Sequence, residues 1–165
     1  MTTKTNQSSF MSQIVEPRAF HVFDDQPGKR TVIEGLLDQL IASGVVDEES
    51  RLDLLTAAME RETIGSTGIG NGIAIPHCRT NLVKNLVCAF GATPGGIDFE
   101  SLDNRPVYAV FMVLSPADQR EQHLQLMKNF AALIRQETFC HMLREVTKAK
   151  DLLHLLRQFE TPHDG

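Results

Sequence analysis

The chain has 165 residues, 42% hydrophobic and 22% charged, a globular composition sized for one compact domain. Its 16 Lys and Arg against 21 Asp and Glu leave a net charge of −5, which argues against nucleic acid as a partner. The three cysteines, Cys78, Cys88 and Cys140, are odd in number and lack CxxC spacing, which excludes a disulfide framework or a structural zinc site and suits a reducing cytoplasm. The N-terminus has no apolar signal-peptide core, and the longest apolar run, Val107 to Leu114, is far shorter than the about 20 residues a bilayer span needs, so no membrane insertion is expected.

Residues 1–12 are polar and read as a flexible arm ahead of a domain over residues 13–160. Arg18 to Phe23 alternates loosely and predicts an edge strand, followed by a turn at Asp24–Gly28. Thr31–Glu34 fits a capping box, and Val32, Leu36, Leu37, Leu40 and Ile41 recur at helical spacing until Gly44. A second helix follows the acidic stretch Asp47–Ser50. Gly65 to Gly72 holds four glycines in eight residues and reads as a loop of unusual backbone shape. Ile73–Ile75 is short and extended, Asn85–Phe90 reads as a strand, and Pro106–Ser115 as a strand buried on both faces. Gly91–Gly96 and Leu102–Arg105 read as turns. A helix then runs from Asp118 to about Gln136, with shorter ones near Thr138–Glu145 and Lys150–Phe159. The order predicts an α/β fold, a mixed β-sheet of about five strands flanked by helices on both faces, without internal repeats.

The glycine segment fits neither common phosphate loop. Gly68-x-Gly70-x-Gly72 leads into extended Ile73–Pro76 rather than a helix, and no Lys-Ser or Lys-Thr pair closes it. It leads instead to His77. Pro76 fixes its own φ and pushes Ile75 toward extended geometry, so His77 leaves a stiff segment beside backbone amides that glycines keep accessible to an anion. Imidazole attacks phosphorus well near neutral pH, but a histidine here also serves simply by bonding a turn, and these residues alone leave both readings open. His123 falls in the middle of the apolar arc of its helix, beside Met127, Phe130 and Ile134, with Leu124, Leu126, Ala131 and Leu133 widening the arc. That position also fits a satisfied core histidine, which the helical pattern does not exclude, but it sits in the first turns after a central strand, where α/β sites form. Arg61, just before the glycines, offers a guanidinium for phosphate oxygens, though beside Glu62 it also reads as a solvated charge. Cys78 and His77 point to opposite faces of an extended chain, so they do not form a thiol–imidazole pair.

The stretch Arg61-Glu62-Thr63-Ile64-Gly65-Ser66-Thr67-Gly68-Ile69-Gly70-Asn71-Gly72-Ile73-Ala74-Ile75-Pro76-His77 closely resembles the signature of fructose/mannitol-type enzyme IIA domains of the phosphoenolpyruvate-dependent sugar phosphotransferase system, and the nitrogen-regulatory branch most of all. The resemblance implies a phosphohistidine carrier, with His77 accepting a phosphoryl group from the small carrier protein HPr. It implies that His123 is the second active-site histidine and Arg61 the active-site arginine, with Gly68, Gly70, Asn71, Gly72 and Pro76 supporting the site. No cofactor and no metal are implied. The acceptor is a regulated target protein or, in a sugar-transport member, a separate IIB domain. A binding module with structural histidines is the competing reading.

Overall fold

The computed structural model describes residues 10–160. The first nine residues of the expected arm lie outside them. Its last three, Phe10, Met11 and Ser12, instead begin a short helix, α1 (Phe10–Ile14), because Met11 is fully buried in the core. The strand β1 (Val15–Val22) follows, then helices α2 (Lys29–Ala42) and α3 (Arg51–Ile64), the latter entered through a 3-10 turn at Glu48–Ser50. Three short strands come next, β2 (Gly68–Gly70), β3 (Ile73–Ala74) and β4 (His77–Thr80). The two long strands, β5 (Val87–Ile97) and β6 (Val107–Pro116), lead into helices α4 (Arg120–Ile134), α5 (Glu137–Leu143) and α6 (Ala149–Phe159).

The six strands form one mixed sheet in the order β1-β5-β6-β3-β2, with β4 also pairing with β6. Both β3 and β4 run parallel to β6, so they are two halves of one path interrupted at Ile75-Pro76. Counted as paths, the sheet has the five strands expected. β1 is an edge strand, as its internal Pro17 requires, since proline has no amide to donate to a second neighbour.

Side-chain alternation along β6 divides the core in two. Ala109, Phe111 and Val113 join Cys88, Phe90 and Ala92 of β5 under α1, α4, α5 and α6. Val110, Met112 and Leu114 join Ala89 under α2 and α3. A strand covered on both faces has no polar side to show, and this is why β6 reads as a continuous apolar run. Phe111 packs edge-on against Phe90 at 4.9 Å and against Phe130 of α4 at 5.0 Å, pinning α4 to the sheet. No described helix is long and apolar enough to cross a membrane.

Two glycine-rich segments differ from expectation. Gly91–Gly96, read as a turn, lies within β5. Gly91 is there because a Cβ would sit 3.0 Å from Phe23 and 3.2 Å from Leu36, so the glycine marks close packing rather than a bend. Gly65–Gly72, read as a loop, is partly a β-hairpin in which β2 pairs antiparallel with β3. Its two-residue tip, Asn71-Gly72, has φ of 56° and 81°, the double positive φ of a type I′ turn. A Cβ on Gly72 would also approach Tyr108 to 3.2 Å. Gly72→Ala is therefore expected to lower stability by about 1–2 kcal/mol, seen as a lower urea midpoint with an unchanged slope. An unchanged midpoint would contradict the turn assignment.

The capping box predicted at Thr31–Glu34 does not form either. Helix α2 starts two residues earlier than Thr31, after Gly28, and Glu34 pairs with Arg30 rather than reaching back. Helix α4 starts after Gln119, with no side-chain cap.

Candidate active site

His77 opens β4 directly after the break in the sheet. Pro76 has no amide, Ile75 donates its amide to the Thr67 carbonyl at 2.9 Å, and the Pro76 carbonyl accepts from Val113 at 2.9 Å. The Ile75 carbonyl accepts the His77 ring instead, at 2.7 Å from Nδ1. A carbonyl only accepts, so Nδ1 carries a proton, and in the neutral ring Nε2 holds the lone pair. The stiff proline exit therefore fixes the tautomer as well as the direction.

The His123 ring, in the first turn of α4, lies 5.4 Å from the His77 ring between centroids, tilted by 49°. Its Nδ1 is 2.7 Å from the hydroxyl of Ser115, near the end of β6. The two imidazoles thus come from a broken strand and a helix start that share β6 as their support. Leu126, Phe130 and Leu133 are buried with His123 as the helical arc predicts, but Leu124 and Ala131, which the arc also took in, are exposed, so the buried stripe is narrower on that side.

Arg61, in the last turn of α3, donates from Nη1 to the Gly65 carbonyl at 2.8 Å. It makes no ion pair among the described residues, and its neighbour Glu62 points elsewhere. Glu62 is buried, holds Lys29 at 2.9 Å, and accepts from the amide and the hydroxyl of Thr67. Lys29 also reaches Glu100 at 3.0 Å. Burial alone would lower the proton affinity of Lys29, but its bonds to Glu62 and Glu100 hold it above its ordinary value. Arg61 lines a cleft of about 350 Å³ with His77, Ser66, Thr67, Ile69, Ile75, Met127 and Phe130. A second cleft, of about 430 Å³, joins Arg61, His77 and His123. Larger hollows, of about 540 and about 630 Å³, lie elsewhere and bring no two histidines together.

The hairpin touches the cleft through Ile69 of β2, while several of its amides are already taken. The amides of Thr67, Gly68 and Asn71 are taken by Glu62, Ser66 Oγ and Asp103. Asn71 donates its side-chain amide to the Ile134 carbonyl at the far end of α4. At 1.5 Å per residue that end is about 17 Å from His123. Asn71 therefore braces α4, Gly70 faces Asp103, Gly72 faces Tyr108 and Arg144, and Gly68 packs on Ser101, where a Cβ would come within 3.1 Å of the Ser101 Cα. The open phosphate cradle expected of this segment is not what the glycines build.

Burial pushes the proton affinity of His77 below its ordinary value of 6.5; the Ile75 bond opposes this, the Arg61 charge adds to it, and Glu62 offsets it. Burial does the same at His123, helped by the repulsion a protonated His77 would exert and by the Arg79 charge. Both rings are therefore neutral at neutral pH, which suits a nucleophile and a hydrogen-bond donor. Groups held below their unfolded proton affinity contribute stability that is complete above pH 6.5 and is lost as the pH falls below it. On lowering the pH from about 7.5 to about 5.5, wild-type thermal stability should drop more than that of a His77→Gln/His123→Gln variant; equal losses would contradict the assignment.

Cys78, behind His77, is buried in the opposite core layer, and burial pushes its thiol up to about 11. It is no partner for the imidazole. All three cysteines are free. Arg79 is exposed and donates to the Ala117 carbonyl, tying β4 to the connection before α4. Among the described residues no three His, Cys, Asp or Glu side chains converge as a metal site would require. Ser115 and the apolar wall of Ile75, Met127 and Phe130 were not anticipated from the sequence. The one signal for Ser115 was a polar residue ending an otherwise apolar buried strand.

The profile of the family described as "Phosphoenolpyruvate-dependent sugar phosphotransferase system, EIIA 2" matches residues 14–159. The chain is 35% identical over 130 residues to a "PTS system fructose-specific EIIA component" of Haloferax volcanii, covering 79% of this chain and 83% of that protein. It is 31% identical over 146 residues to a "Nitrogen regulatory protein" of Pseudomonas aeruginosa, covering 88% and 94%. Among solved structures, the nitrogen regulatory protein IIA-Ntr of Neisseria meningitidis superposes with a TM-score of 0.77 at 30% identity, covering 90% of this chain and 99% of that one. The fold, the long signature ending at His77 and these matches agree, and the chain belongs to the EIIA 2 family of the phosphoenolpyruvate-dependent sugar phosphotransferase system.

Proposed function

We propose that this phosphotransferase-system component carries a phosphoryl group on Nε2 of His77, with His123 and Arg61 stabilising it. The observation that carries this reading is the His77 ring itself, held by the Ile75 carbonyl through Nδ1 and set in one cleft with His123 and Arg61. The donor is a phosphohistidine protein of the HPr type. The Nε2 lone pair forms a new N–P bond while the donor's N–P bond breaks, its electron pair returning to the donor imidazole. The proton stays on Nδ1, donated to the Ile75 carbonyl throughout, so no base has to remove it. Charge on the transferring oxygens is met by the Arg61 guanidinium and the remaining N–H of His123. Each partner is neutral or singly charged, so the site holds the group without trapping it, as a carrier that must give it back requires.

The protein acts in the cytoplasm as a regulator of nitrogen or general metabolism, its phosphorylation state setting which target protein it binds. The near full-length match to a nitrogen regulatory protein supports this branch. The second reading, a transport IIA that passes phosphate to a separate IIB domain, is favoured by the fructose-specific relative. Transfer from the phosphorylated chain to purified fructose-type and mannitol-type IIB domains separates them. Slow or absent transfer is the expected result, and rapid turnover onto either IIB would replace the regulatory reading by the transport one.

A further inference from the structure

Ser115 is fully buried, and so is the hydroxyl it offers to His123. A hydroxyl proton out of reach of water needs an acceptor, and among the described residues the only polar atom within reach of this one is Nδ1 of His123, at 2.7 Å. Two arrangements fit that distance. If Nδ1 carried the proton, it would donate to Ser115 Oγ, and the serine's own proton would be buried with nowhere to go. If the serine donates, Nδ1 accepts, both atoms are satisfied, and the neutral ring must carry its one proton on Nε2. The second arrangement leaves no buried polar atom unpaired.

We infer that Ser115 is a positioning residue: its hydroxyl holds His123 in the Nε2–H tautomer and so aims a hydrogen-bond donor at the phosphoryl group on His77. The inference rests on the proposed carrier reading for its purpose, but not for its geometry. Nε2 of His123 has no hydrogen-bond partner among the described residues, and the ring lies 5.4 Å from that of His77. The two histidines are thereby set in complementary states by their Nδ1 atoms. His77 donates through Nδ1 to a carbonyl and keeps a lone pair on Nε2, while His123 accepts through Nδ1 from a hydroxyl and keeps a proton on Nε2. One ring is made the nucleophile and the other the donor, by nothing more than the neighbour each Nδ1 meets. With the hydroxyl removed, either nitrogen of His123 can take the proton, and part of the population presents a lone pair, which repels phosphoryl oxygens.

The test is the nitrogen NMR spectrum of the unphosphorylated protein, in which protonated and unprotonated ring nitrogens are resolved, together with phosphoryl-transfer rates from phospho-HPr. In wild type, Nδ1 of His123 is expected to be unprotonated and Nε2 protonated; the reverse would overturn the inference without any variant. Ser115→Ala should shift the spectrum toward the Nδ1–H tautomer and slow transfer on the order of tenfold, the effect of losing one orienting hydrogen bond. Ser115→Thr, which keeps the hydroxyl, should restore both. A Ser115→Ala protein with the wild-type tautomer and rate would overturn the inference. If wild type takes up no phosphate while His123 shows the expected tautomer, the carrier reading fails and the tautomer assignment stands; a phosphorylated wild type with the proton on Nδ1 does the opposite.

Discussion

Replacing His123 by alanine is expected to slow phosphoryl transfer onto His77 by about 10²–10³, the loss found when one preorganised donor is removed from a developing anion. The size follows from the site. Burial and the nearby Arg79 charge keep His123 neutral, so it acts as a fixed donor rather than as a charge that water screens. Its helix is pinned to the sheet through Phe130 and braced at its far end by Asn71, so little reorganisation accompanies the reaction. The variant should fold, at a cost of about 1–3 kcal/mol from leaving the Ser115 hydroxyl unpaired. Rapid-quench measurement of the phosphorylated fraction reads the rate, and a rate within threefold of wild type, on the order of the scatter between such sites, would remove His123 from the reaction.

Replacing Glu62 by alanine should destabilise the fold by about 3–5 kcal/mol, the range for breaking one side of a buried ion pair. The Glu62 carboxylate is 2% exposed, and its loss orphans Lys29, whose side chain is 15% exposed. It also takes the acceptor from the Thr67 amide and hydroxyl, which hold the strand leading into the hairpin. Lys29 retains Glu100, but that carboxylate is 76% exposed and offsets little. Urea unfolding should show the midpoint falling with the slope unchanged. A loss under about 1 kcal/mol would mean that water replaces the carboxylate and that the network is not a structural anchor. Because Thr67 lines the cleft with His77 and Arg61, part of the effect should appear as weaker phosphorylation even where the protein remains folded.

How far the sequence carries this architecture depends on which interactions are local. The His123 arc was legible because α4 lies on a flat apolar sheet, where helical period alone decides which side chains are buried. The proline exit before His77 was legible because proline acts on its own φ and on the preceding residue. The separation of Cys78 from His77 followed from strand alternation. The glycines were harder. Asn71-Gly72 carried the strongest short hairpin signal available, yet the strands on either side of it are three and two residues long, too short to alternate visibly. Gly91 marks contact with Phe23 and Leu36, residues distant in sequence, and no local rule distinguishes that from a turn. The capping box at Thr31–Glu34 failed for a related reason: Arg30, one turn before Glu34, captured a carboxylate the motif had assigned to the backbone.

The identity of the Arg61 partner was not legible for a different reason. Adjacent charges in sequence invite pairing, but on a helix they point about 100° apart. Glu62 turns inward to Lys29 and Thr67 while Arg61 faces the clefts. Ser115 acts on His123 from eight residues away, across the step from β6 to α4, and only the fold brings them together.

The most direct test incubates the protein with phosphoenolpyruvate, enzyme I and HPr, and follows its intact mass. Wild type should gain one acid-labile phosphoryl group, borne on Nε2 of His77 in the nitrogen spectrum, and His77→Ala should gain none. A wild type that stays unmodified, or a His77→Ala protein labelled as fully as wild type, would contradict the account.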